Sequence, residues 1–273
     1  MSFGSIALPA AILGGMGLFF GLVLAFSAKL FHVEQDPRIE EVTNTLPGAN
    51  CGGCGYAGCA NLAAAIVGGS APVSGCPVGG AAVAQKGAAI MGVEAGEVNR
   101  TVAHVDCRAG STHAKRKYAY DGISDCLSAS KVAGGPLECT YGCLGYGSCA
   151  AVCAYDALHM IDDVAVVDPE KCVSCGKCVS ACPRSLITIV PDKQKVFVCC
   201  SSRAKGPETR HVCGIGCIGC MMCQKACPVG AITVTDNLAT IDYSKCINCG
   251  ACVTVCPRHL IVNTDTTNQE PAK

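Results

Sequence analysis

The sequence predicts an α+β protein in which an apolar N-terminal transmembrane helix leads into a small helical domain, followed by two tandem copies of one cysteine-rich unit. Three observations carry this reading. No charged side chain occurs from Met1 to Ala28. Cysteine occurs 25 times in 273 residues, in tight runs with short spacers, and tryptophan is absent. A shift of 74 residues carries Cys126, Cys139, Cys143, Cys149, Cys153, Cys172, Cys175, Cys178 and Cys182 onto Cys200, Cys213, Cys217, Cys223, Cys227, Cys246, Cys249, Cys252 and Cys256. Nine coincidences at one offset mark an internal duplication.

Residues 1–28 read as the anchor. A helix from Ser5 to Ser27 reaches roughly 34 Å, enough to cross a bilayer. A cleaved signal peptide wants a basic leading region and a shorter apolar core, and neither is present. Lys29 and Arg38 follow the apolar run and no Lys or Arg precedes it, which places the remaining chain in the cytoplasm. Gly17, Gly21 and Ala25 form a stripe of small residues; it suits packing on another membrane helix, and equally reflects the abundance of glycine in such helices.

Residues 29–100 read as a small helical domain around Cys51, Cys54, Cys59 and Cys76, with helical patterns over Ala60–Val67 and Ala81–Met91. Residues 101–125 read as a linker, basic and loop-like over 108–121. Residues 126–190 and 200–264 are the two copies. β-prone stretches at Leu158–Ile161, Val164–Val167 and Leu186–Val190, then at Ala231–Thr235, Ala239–Ile241 and Leu260–Val262, suggest small hairpins beside the cysteine runs. Residues 265–273 form a polar, frayed tail.

Thiols this close in sequence mostly cannot reach good disulfide geometry with one another, so the runs suit a metal. The second copy reads Cys217-x2-Cys220-x2-Cys223-x3-Cys227-Pro228, then Cys246-x2-Cys249-x2-Cys252-x3-Cys256-Pro257. Three thiolates from a tight loop and a fourth from elsewhere suit a [4Fe-4S] cluster, and in two-cluster ferredoxins the fourth cysteine of each run serves the other cluster. The two units are therefore bacterial-ferredoxin-like modules. In the second, Cys217, Cys220, Cys223 and Cys256 form one site, and Cys246, Cys249, Cys252 and Cys227 its neighbour. Structural zinc is the rival, but it usually takes separated C-x2-C pairs.

In the first module Cys172, Cys175, Cys178 and Cys153 form the regular site. The other run reads Cys139-x3-Cys143-x5-Cys149-x3-Cys153, with Tyr146 standing where Cys220 stands in the second copy. Cys139 is assigned to the vacancy, with Cys143, Cys149 and Cys182; a three-iron cluster is the alternative. Cys51-x2-Cys54-x4-Cys59-x16-Cys76-Pro77 supplies an N-terminal site, with zinc again the rival. Five clusters are thus expected. Cys107, Cys126, Cys200 and Cys213 are candidates for a sixth, against the plain reading of buried free thiols.

Formal net charge is zero, so nothing points to nucleic acid. Each oxidised cluster with four thiolates adds about −2, so the loaded protein is acidic. No G-x-G-x-x-G after a strand, no P-loop and no catalytic triad signature is present.

The anchor, the CGGCGYAGC motif of residues 51–59 and the tandem ferredoxin units, in that order, resemble the family of B subunits of the Rnf complexes. The resemblance covers essentially the whole chain. It implies a bacterial cell-membrane complex that passes electrons from reduced soluble ferredoxin to NAD and moves sodium ions or protons. This chain would be its single-pass, cytoplasm-facing Fe–S component, and NAD reduction would fall to a partner protein of the complex. Two other readings stand beside this one. The first is an electron-transfer component of a hydrogenase- or formate-dehydrogenase-type membrane oxidoreductase; the second is a structural zinc or redox-sensing protein. The basic run Lys115, Arg116, Lys117 offers a docking patch for an acidic ferredoxin, or is a solvated loop.

Overall fold

The computed structural model describes residues 4–30 and 36–265, with side chains from residue 12 onward except at 28 and 30. The apolar run folds as helix α1 (Gly4–Leu30), and its large side chains from Ile12 to Phe26 are exposed. Gly17 and Gly21 have open space around them. Among the described residues no helix is long and apolar enough to cross a membrane.

The N-terminal domain packs three short helices. Helix α2 (Pro37–Thr45) starts where the Asp36 carboxylate accepts the Arg38 N–H at 2.9 Å and Pro37 fixes the first turn. Helices α3 (Cys59–Val67) and α4 (Gly80–Met91) each begin one residue ahead of their sequence pattern. Val42, Leu62, Ala63 and Ile66 make the dry centre, and Cys76 lies buried against it.

The next stretch is not a linker. It contributes β1 (Thr101–Val105) and α5 (Gly110–His113), and it continues into α6 (Cys126–Lys131). Helix α7 (Ser148–Ala151), β2 (Leu158–Ile161), β3 (Val164–Val167), α8 (Lys177–Ala181) and β4 (Ile187–Pro191) complete the first module. The second begins at β5 (Val196–Val198), ahead of the boundary at 200 expected from sequence. It continues through α9 (Gly206–Val212), α10 (Met222–Ala226), β6 (Ile232–Thr235), β7 (Leu238–Ile241), α11 (Ala251–Thr254) and β8 (Ile261–Asn263).

Each module holds two antiparallel pairs. One is a tight hairpin, β2–β3 or β6–β7. Its turn residues, Asp162–Asp163 and Asp236–Asn237, all have positive φ, the type I′ geometry that matches strand twist. The other pair joins the ends of the module, β1 to β4 and β5 to β8. Leu186–Val190 and Leu260–Val262 therefore pair with strands that enter before the cysteine runs, and are not hairpin halves. Val105 stands opposite Ile187 as Val198 stands opposite Ile261.

Alternation along these strands decides what lies between the modules. Ala103 and Val105 face the first module's core, and Val196 and Val198 face the second's. Val102 and Val190 turn the other way and meet Phe197, Cys199 and Val262. His104 stacks on Phe197 at a centroid distance of 4.2 Å, and burial pushes its imidazole down to about 4. The basic run is part of this junction. The Lys115 N–H donates to Val212 O and its carbonyl accepts from Glu138 N, while Arg116 pairs with Asp163 at 2.9 Å.

Candidate metal centres

All 25 cysteines are described, and none is in a disulfide. They gather in successive groups. In the N-terminal domain buried Cys76 lies beside Cys54 and Cys59. The Asn50 side chain accepts the Cys59 N–H at 2.8 Å and so closes the loop that carries Cys51 and Cys54. Gly79 N–H donates to Cys76 Sγ at 3.3 Å. This loop abuts the first module: a Cβ on Gly53 would lie 2.6 Å from the Cys175 carbonyl oxygen. Tyr155 stands between the two, its hydroxyl pushed up by burial and then by Cys175, Cys51, Cys76 and Cys153.

Cys153, Cys172, Cys175 and Cys178 line one cavity of the first module, the grouping read from sequence. Ala157 N–H donates to Cys153 Sγ at 3.4 Å and Ala103 N–H to Cys172 Sγ at 3.3 Å. A second cavity is lined by Cys126, Cys143, Cys149 and Cys182. Cys107, Cys139, Cys143, Cys199, Cys200 and Cys213 line a third, between the modules; Cys143 is shared with the second. The sequence reading put Cys139 with Cys143, Cys149 and Cys182, and Cys126 with Cys107, Cys200 and Cys213. The structure exchanges these two cysteines.

The reasons are local. Cys126 opens α6, which is capped by Asp125; that carboxylate also takes the Ser148 hydroxyl at 2.7 Å, and Ser148 Oγ accepts the Cys126 N–H at 2.8 Å. This clasp fixes Cys126 to α7, the helix that bears Cys149. Tyr146 is turned away onto Tyr120, with ring centroids 5.3 Å apart. Cys139 is held elsewhere, its carbonyl bound by the Arg184 guanidinium at 2.9 Å.

Strand pairing also changes which residues of the two copies correspond. Cys107 lies two residues past β1 and Cys200 two residues past β5, so these two are counterparts in the fold. The Cys143 N–H donates to Cys107 Sγ and the Cys217 N–H to Cys200 Sγ, both at 3.4 Å. Cys126 and Cys200 match at the 74-residue offset without sharing a place. The signal was present in the sequence: each of Cys107 and Cys200 follows a short β-prone stretch.

In the second module Cys223 is surrounded by Cys217, Cys256 and Cys220, and Cys252 lies near Cys223, Cys246 and Cys249. Cys227 accepts the Ala231 N–H at 3.2 Å, as Cys153 accepts that of Ala157. Cys220 and Cys249 are exposed, and Met221, Met222, Val229 and Ile247 beside them are exposed too.

Among the described residues no three His, Cys, Asp or Glu side chains converge on one ion-sized point. In the first module and between the modules the thiols stand instead around shared cavities, and backbone N–H groups point at several of the sulfurs. That donor set fits a [4Fe-4S] cluster, whose ligands are thiolates and whose potential is tuned by hydrogen bonds to sulfur. Burial pushes Cys149 and Cys199 up to about 12, and Cys178, Cys200, Cys223 and Cys252 up to about 11. Such thiols ionise only with a cationic group to compensate, which couples metal binding to folding. Cys217, Cys223, Cys252 and Cys256 are also four of the eleven buried residues in the second module's core. Stripping iron with an anaerobic chelator is therefore expected to unfold both modules, read as lost far-UV circular dichroism and rapid proteolysis between 101 and 265, while the helical N-terminal domain retains more of its signal.

Three family models match the chain: "Putative Fe-S cluster" over residues 46–78, "4Fe-4S binding domain" over 165–188 and "4Fe-4S dicluster domain" over 216–260. Similar whole proteins carry related names. The B subunit of the Na(+)-translocating ferredoxin:NAD(+) oxidoreductase complex of Acetobacterium woodii is 52% identical, over 89% of this chain and 73% of its own. The B subunit of the ion-translocating oxidoreductase complex of Methanosarcina acetivorans is 46% identical, over 86% of this chain and 90% of its own. The B subunit of the proton-translocating ferredoxin:NAD(+) oxidoreductase complex of Clostridium ljungdahlii is 41% identical, over 85% of this chain and 82% of its own.

Proposed function

The chain belongs to the family of B subunits of ion-translocating ferredoxin:NAD(+) oxidoreductase (Rnf) complexes, and we propose that it carries electrons from a soluble ferredoxin-type donor to the rest of the complex through six [4Fe-4S] clusters. Cys51, Cys54, Cys59 and Cys76 would hold the first. Cys153, Cys172, Cys175 and Cys178 would hold the second, and Cys126, Cys143, Cys149 and Cys182 the third. Cys107, Cys139, Cys200 and Cys213 would hold the fourth, between the modules. Cys217, Cys220, Cys223 and Cys256 would hold the fifth, and Cys227, Cys246, Cys249 and Cys252 the sixth. The clusters supply one-electron transfer; the protein supplies position, hydrogen bonds to sulfur and exclusion of water.

The observation that carries this reading is the succession of contacts between neighbouring sites. Gly53 abuts Cys175, the Cys143 amide binds Cys107, and the Cys217 amide binds Cys200; within the modules Cys149 and Cys178 share one core, and Cys252 lies near Cys223. The donor would dock where a cluster ligand is exposed, at Cys220 or Cys249, near which in sequence Met221, Met222, Val229 and Ile247 are exposed as well. Arg116 is already paired and the backbone of its run is bonded into the module junction, so we place docking at Cys220 or Cys249 and not at residues 115–117. The uncharged, apolar run of residues 1–28 would anchor the chain in the cell membrane, with the cysteine domains in the cytoplasm. NAD reduction and movement of sodium ions or protons fall to partner proteins of the complex.

Purified without oxygen, the full chain is expected to carry about 24 irons with matching sulfide and to be reduced by a reduced soluble ferredoxin. Zinc without iron, or an iron-loaded chain that the donor does not reduce, would overturn the reading.

A further inference from the structure

The pseudo-symmetry of the central site extends to two cations. Arg184 and Arg258 are related by the 74-residue offset, and each follows a Cys-Pro pair, Cys182–Pro183 and Cys256–Pro257. Arg184 donates to the carbonyls of Cys139 at 2.9 Å, Gly142 at 2.6 Å and Gly134 at 2.7 Å. Arg258 donates to the matching carbonyls, Cys213 at 2.7 Å and Gly216 at 3.3 Å. Each guanidinium therefore grips the loop that presents one central-site cysteine, and each lies two residues past a cysteine of its own module's inner site. Neither has a carboxylate partner among the ion pairs of the described residues. Arg184 is partly buried, and Cys139, Cys143, Cys107 and Cys182, two from each neighbouring site, lie close to its guanidinium. The seat is tight: a Cβ on Gly135 would lie 2.8 Å from an Arg184 terminal nitrogen.

We propose that Arg184 and Arg258 are paired positioning residues that hold the two ligand loops of the central site and raise the reduction potential of the cluster it binds, one acting from each module. The inference rests on the central site holding a cluster. A positive charge beside a thiolate-bound cluster favours its more negative, reduced form, and in a partly buried site that effect is weakly screened. Because both guanidinium groups flank the same site, the two act on one shared signal and, in addition, each on the inner site of its own module.

The test is an EPR-monitored redox titration of the full chain, with iron counted in every sample. Arg184→Gln and Arg258→Gln are each expected to move one common signal to lower potential. The double variant should move it further, and Arg184→Lys and Arg258→Lys, which keep the charge, should return it most of the way. A central signal that both glutamine variants leave in place, or that the lysine and glutamine variants shift alike, overturns the inference. If a glutamine variant does not hold all its iron, the signal it loses decides: selective loss of the shared signal from either side supports the inference, and loss of other signals with the shared one retained at its original potential overturns it. The premise fails separately: Cys139→Ala and Cys213→Ala would then each leave the iron count unchanged.

Discussion

Cys126→Ala combined with Cys182→Ala is expected to cost the protein no more iron than either substitution alone, about four atoms, because both side chains line one cavity. Cys139→Ala combined with Cys182→Ala is expected to cost about twice as much, because Cys139 lines the cavity between the modules. Iron and sulfide analysis of the two double variants against their single parents reads the answer directly. The reverse pattern would return Cys139 to the first module and leave the clasp of Asp125, Ser148 and Cys126 without a purpose. The single Cys126→Ala variant should also lose stability in the first module, since one substitution removes both a ligand and its cluster from the core.

Gly53→Ala is expected to loosen the N-terminal domain from the first module. Its Cβ would meet the Cys175 carbonyl oxygen at 2.6 Å, the carbonyl carbon at 3.0 Å and Cα at 3.1 Å. All three are backbone atoms of a cluster-binding loop, so neither side gives way cheaply, and overpacking of this kind typically costs about 1–3 kcal/mol. Both cysteine groups remain intact, so the iron count should hold. Hydrogen exchange across residues 51–58 should quicken, and electron equilibration between the N-terminal cluster and the rest should slow. Gly96→Ala is the control, since a Cβ there meets nothing within 4 Å. Equal behaviour of the two variants would mean that the close approach of Gly53 to Cys175 has no bearing on transfer.

Much of this protein was legible before folding. Helices α3 and α4 followed from apolar spacing over Ala60–Val67 and Ala81–Met91, and the hairpin strands β2, β3, β6 and β7 from short β-prone runs beside the cysteines. These are local features, set by residues within one or two turns of each other. The cysteine groups at Cys172–Cys178 and Cys246–Cys252 were equally legible, because two-residue spacers keep three thiols on one tight loop.

What failed to be legible depended on which distant segments meet. β1 looked like linker because its partner, β4, lies beyond both cysteine runs of the module. Once β1 is placed, Cys107 becomes the counterpart of Cys200, and Cys126 is left to the insertion that separates Cys107 from Cys139. The roles of Arg184 and Arg258 were hidden for the same reason, since each grips carbonyls more than forty residues away.

The chemistry is therefore written locally: thiolates in cluster-binding runs, duplicated, behind an apolar helix. Spacers of two or three residues specify which sulfurs a loop can gather, whatever the rest of the chain does. Which cysteines share a cavity with Cys143, Cys149 and Cys182, and what joins the modules, became visible only in the folded chain. Those answers turn on strand pairing, helix capping and side-chain alternation across residues far apart in the chain, which short-range spacing does not encode.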